Sequence, residues 1–87
     1  MSNSIHTPEH KELIGVIIRH RHAAGLTQEH VSKAIGQHQS YVAKLETGQR
    51  RLDIVEYLAI ARAIGFDPAA ELQTIAFRFG YSPGSHS

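Results

Sequence analysis

The sequence predicts an all-α fold, a five-helix bundle built around a helix-turn-helix. Three observations predict it. Apolar residues recur at three- and four-residue spacing through 13–79, cap residues and glycines interrupt that pattern at short intervals, and no alternating β-rich stretch of useful length appears. A chain of 87 residues has room for one core, and its 41% hydrophobic against 20% charged content argues against disorder across that span. We therefore expect a single domain over 7–80, flanked by flexible, Ser-rich ends at 1–6 and 81–87.

The first helix opens at Thr7-Pro8, with threonine as N-cap, proline preset for the first helical position and Glu9 near the positive end. Leu13, Ile17 and Ala24, with the inner parts of His20 and Arg21, fall on one side, Ile14 and Ile18 form a second apolar line, and Gly25 ends the helix. Thr27 caps a second helix over about 28–35, whose buried side is Val31, Ala34 and Ile35. After a turn at Gly36-Gln37-His38, a third helix is expected from about Gln39 to Glu46, with Val42 and Leu45 inward and Gly48 as terminator. Asp53 and Glu56 form a D-x-x-E capping box for a fourth helix, in which Ile54, Tyr57, Leu58, Ala61 and Ile64 repeat at helical spacing up to Gly65. Asp67-Pro68 repeats the opening device, and Leu72, Ile75, Ala76 and Phe79 carry a fifth helix to Gly80.

Net charge is only +1, but its distribution is uneven. From 11 to 51, seven Lys/Arg stand against three acids; from 52 onward two stand against four. The molecule is expected to be electrically two-ended, with its basic end in the N-terminal half. No cysteine is present, which removes disulfides and thiolate chemistry and, with no signal-peptide pattern, favours the cytoplasm. Apolar runs such as Val16 to Ile18 are too short to cross a membrane. Seven histidines (6, 10, 20, 22, 30, 38 and 86) lack a matching carboxylate cluster, so neither a metal nor another cofactor is expected. Ser40 has no histidine–acid pair arranged beside it in sequence, and an enzyme is not expected.

Two short helices joined by a tight, glycine-containing turn, over about 27–46, form a helix-turn-helix whose second helix can enter a DNA major groove. The residues that surround it carry a resemblance: Gly25-Leu26-Thr27-Gln28-Glu29, Ala34 and Gly36, Ser40-Tyr41-Val42-x-Lys44-Leu45-Glu46-x-Gly48, and Leu58-x-x-Ala61-x-Ala63-Ile64-Gly65. Together with Arg21, this run resembles the Cro/C1-type, or XRE, helix-turn-helix family of phage repressors and small bacterial regulators, including restriction–modification controllers. The resemblance implies a lambda-repressor-like fold and a sequence-specific double-stranded DNA-binding regulator, usually a homodimer on a palindromic operator.

Site residues follow from this resemblance and from the chemistry of each side chain. Thr27 and Gln28, at the start of the second helix, are expected at the DNA backbone. Gln39, Ser40 and Lys44 are the base-reading candidates: glutamine can pair with adenine, lysine can donate to guanine, and serine serves either. Tyr41, through its hydroxyl, and His38 are expected at phosphates, as are Thr47, Gln49, Arg50 and Arg51 beyond the reading helix. Family members often carry proline where Leu52 stands, which leaves the shape of that loop open. Arg21 and Glu46 match positions that the family pairs in a structural salt bridge. Leu72, Ile75, Phe77, Phe79 and Tyr81 on and after the fifth helix are the expected dimer surface, away from the reading helix. The alternative is that the scaffold serves as a protein-interaction module or an antitoxin-like partner.

Overall fold

The structure is a computed structural model and describes residues 7–81; the tails at 1–6 and 82–87 lie outside the described residues. Among the described residues there are five helices and no strand: α1 (Pro8–Ala23), α2 (Gln28–Ala34), α3 (Tyr41–Glu46), α4 (Ile54–Ile64) and α5 (Pro68–Arg78). Every predicted helix is present, and α1, α2, α4 and α5 each open on a local side-chain cap bond. Thr7 Oγ1 accepts from His10 N at 3.1 Å, and Thr27 Oγ1 accepts from His30 N at 3.0 Å. Asp53 and Glu56 close both halves of their capping box, and the Asp67 carboxylate accepts from Ala69 N and Ala70 N.

α1 packs against α3, α4 and α5, while α2 lies against α3 and α4. The core they enclose consists of Ile14, Ile17, Val31, Tyr41, Val42, Leu45, Leu52, Tyr57 and Ile60. Val16 is also buried, whereas Ala24, expected on the inner side, is exposed at the C-cap. The α1–α5 seam is held at its rim. His20 Nε2 lies 2.7 Å from Glu71 Oε2, Arg78 pairs with Glu12, and the Tyr81 hydroxyl donates to Glu9 at 2.6 Å. The His20 ring stacks on Phe66 with centroids 4.3 Å apart, and the Tyr57 hydroxyl donates to Pro68 O at 2.8 Å.

Two local expectations change. The connection between α2 and α3 is longer than Gly36-Gln37-His38: it runs over residues 35–40, with Gly36 at φ +75°, and α3 begins at Tyr41 instead of Gln39. The cause is Ser40, which stands at the N-cap but makes no cap bond; its N–H and its hydroxyl are both within hydrogen-bond reach of His38 Nδ1, at 3.2 and 3.0 Å. On α4, the repeating apolar residues turn out to cover two faces. Tyr57, Ile60 and Ala61 are buried, but Ile54 (56%), Val55 (71%) and Leu58 (48%) are exposed. Leu52 fills the core, and its N–H donates to His10 Nε2 at 3.2 Å, a bond that proline at this position lacks the hydrogen to make.

Candidate nucleic-acid interface

α2 and α3 are joined below their outer faces by one hydroxyl. Ser32, fully buried, donates from Oγ to Gln28 O at 2.9 Å, and the same oxygen accepts from Val42 N at 2.9 Å. It thereby satisfies an N–H in the first turn of α3, where no cap residue does. Val42 and Leu45 lie at zero exposure beneath, so the outer face of α3 has a fixed orientation.

The other end of α3 is held by charge. Arg21 Nε donates to Glu46 Oε2 at 2.7 Å and Nη2 donates to Oε1 at 2.9 Å, a bidentate pair whose side chains are 10% and 7% exposed. Arg21 Nη1 also donates to Leu26 O at 3.0 Å. Gln28 Nε2 donates to Glu46 Oε1 at 2.7 Å, so one carboxylate ties α1, the start of α2 and the end of α3 together. One of the two amide hydrogens of Gln28 is thus engaged inside the protein, leaving one for a phosphate.

Of the three base-reading candidates, Ser40 and Lys44 line one cleft, which Gln39 does not. Gln39 and Lys44 are exposed, Ser40 is half-buried, and among the described residues neither Gln39 nor Lys44 makes a side-chain hydrogen bond or ion pair. Thr47 Oγ1 donates to Ala43 O at 3.0 Å and accepts from Gln49 Nε2 at 2.9 Å, which turns both residues back on the end of α3.

Tyr41 differs from its expected place at a phosphate. It is 4% exposed, and its hydroxyl is buried beside the Glu56 carboxylate and Arg50, so it does not reach the outer surface. Burial, ahead of the neighbouring Glu56 carboxylate, raises the Tyr41 hydroxyl well above the ordinary tyrosine range. Its ring carries the Arg50 guanidinium 4.9 Å from the centroid, and Arg50 Nη2 donates to Glu56 Oε2 at 3.1 Å. Burial pushes the Glu56 carboxyl upward, but the Tyr41 hydroxyl, then Arg50 and Asp53 N, together outweigh that and leave it below the usual carboxylate value. A cleft of about 260 Å³ lies over this group, lined by Gln37, His38, Ser40, Tyr41, Lys44 and Arg50. Arg51 instead borders a second cleft with Glu9, His10 and Leu13, on the α1 side.

The expected dimer residues divide. Ile75 is buried in its own chain and Leu72 and Phe79 are half-buried, and Leu72 and Ile75 line an open groove of about 500 Å³ with Tyr81. Phe77 (84%) and Tyr81 (62%) are exposed. The apolar edge Ile54, Val55 and Leu58 was hidden in sequence by helical spacing that serves both faces of α4. The roles of Ser32 and Glu56 were also missed: a serine within a short helix has no distinctive signal, and Glu56 reads only as half of a capping box. Among the described residues no three His, Asp or Glu side chains gather as a metal site, and no helix is long and apolar enough to cross a membrane.

A family model described as a helix-turn-helix domain matches residues 17–74. The fold is similar to a solved structure described as an XRE-family like protein from Pseudomonas syringae pv. tomato str. DC3000, at 36% identity and a TM-score of 0.79, covering 86% of this chain and 92% of that one. No curated protein matches the sequence.

Proposed function

We propose, from the premise that this chain belongs to the XRE-type helix-turn-helix family and is a DNA-binding regulator, that it reads a specific duplex sequence in the major groove and regulates transcription in the cytoplasm, as a repressor or an activator. The reading elements are α3 and the turn before it, with Gln39, Ser40 and Lys44 toward base edges. Thr27, Gln28, His38, Thr47, Gln49, Arg50 and Arg51 are proposed for the phosphate backbone. The observation that carries this reading is the exposed pair Gln39 and Lys44, whose side chains make no bonds among the described residues, while Ser32 and the Arg21–Glu46–Gln28 group hold α3 beneath them. A helix so short contacts few base pairs, so we propose a homodimer on a palindromic operator, with Phe77 and Tyr81 as the exposed apolar residues nearest its expected surface.

The test is selection of bound duplexes from a random pool, followed by gel shift at low and moderate salt. A palindromic selected site, bound more tightly than random duplex, supports the reading; a folded protein that binds no duplex at either salt sinks it. A second reading, in which the scaffold docks on another protein, draws on the exposed Ile54, Val55 and Leu58 edge. The same experiment separates the two, since that reading requires no selected site.

A further inference from the structure

Arg50 and Arg51 are twins in sequence and opposites in space. Arg51 borders the α1-side cleft, while Arg50 faces the cleft beside the reading turn. Only Arg50 is held: the Tyr41 ring lies under its guanidinium at 4.9 Å, and the Glu56 carboxylate accepts from Nη2 at 3.1 Å. Both holders are themselves fixed. Tyr41 is buried in the core, and the Glu56 carboxylate accepts from Asp53 N at 3.4 Å through Oε1 in the α4 capping box. The single bond to Glu56 uses one corner of a five-donor guanidinium and leaves the others available. His38, whose Nδ1 lies within hydrogen-bond reach of Ser40 N, lines the same cleft. Lys44 adds a second cation to the same wall.

We propose that this cleft seats one backbone phosphate of duplex DNA, and that Glu56, with the Tyr41 ring, is a positioning residue that aims Arg50 at it. The inference rests on the DNA-binding reading above. It has a consequence of unusual sign. Glu56 is a negative charge near DNA, so by electrostatics alone its removal tightens binding. As a positioning residue, its removal loosens Arg50 and weakens binding instead.

The probe is a random-sequence duplex, on which backbone contacts dominate, titrated by fluorescence anisotropy over a range of salt. Arg50→Ala is expected to weaken binding and to lower the salt slope by about one unit, the loss of one phosphate contact. Arg51→Ala should have the smaller effect. Glu56→Gln keeps a residue accepted by the capping box but removes the carboxylate; it should weaken binding in the wild-type background and strengthen it in the Arg50→Ala background. Tightening by Glu56→Gln in both backgrounds, or equal losses from the two arginines, overturns the proposal. Arg50→Lys guards against a folding artefact, because it keeps the charge and loses the planar fork; wild-type affinity in this variant also overturns it. Tyr41→Phe keeps the ring and should bind normally, and a loss matching Arg50→Ala would assign the contact to the hydroxyl and overturn the stacked arrangement. A wild-type protein that binds no duplex fails the functional reading itself, a result distinct from these.

Discussion

α3 spans six residues and has no side-chain cap, whereas α5 spans eleven, opens with the Asp67 cap and Pro68, and has a single buried residue, Ile75. A helix as short as α3 does not persist alone, since isolated helices below about 12 residues are marginal in water. Its form therefore comes from elsewhere in the chain: Ser32 for its first turn, Arg21 for its last, and three buried side chains between. α5 carries its own start signals and meets α1 through partly exposed contacts, His20 with Glu71 and Arg78 with Glu12. The element that faces the proposed ligand is thus the one least able to hold itself and most firmly held by others. Stability lost at α3 should be large and concentrated in a few residues; at α5 it should be small and spread out.

Glu46→Ala is the most severe test of that contrast. It strands the Arg21 guanidinium at a site where the two side chains are 10% and 7% exposed, and should cost about 3–5 kcal/mol in denaturant unfolding. A cost below about 1 kcal/mol, the range of exposed pairs, would place this pair with the α5 rim contacts instead. Ser32→Ala comes next: it leaves Val42 N without its buried partner, and about 1–3 kcal/mol should be lost by the same measurement. Asp67→Ala removes the α5 cap and should cost about 1 kcal/mol, the ordinary value for such a change, seen as a lowered melting temperature. Phe77→Ser should leave monomer stability within about 0.5 kcal/mol, because the ring is 84% exposed. Sedimentation of the same variant sharpens the comparison: a weakened dimer would give α5 a role between chains that it lacks within one.

The sequence is most readable where structure is decided within a few residues. Thr7-Pro8, Thr27, the Asp53/Glu56 box and Asp67-Pro68 announce the starts of α1, α2, α4 and α5, and side-chain cap bonds form at each. The start of α3 was misplaced because Ser40, a good cap residue by type, is drawn to His38 and not to the backbone ahead of it. Spacing alone did not separate the two apolar faces of α4, since Ile54 and Leu58 keep the same helical interval as Tyr57 and Ala61. Tyr41 is a case of distance in sequence: what surrounds its ring comes from Arg50 and Glu56, nine and fifteen positions away, and no local pattern points to either.

The freedom of Gln39 and Lys44 bears on how such a protein changes over generations. Their side chains make no bonds within the described residues, so replacing them leaves the fold's own contacts untouched. A lineage could therefore exchange these two residues and acquire a new target sequence without first acquiring compensating stability. Arg21, Ser32 and Glu46 have no such latitude, and descendants with different targets should still share them.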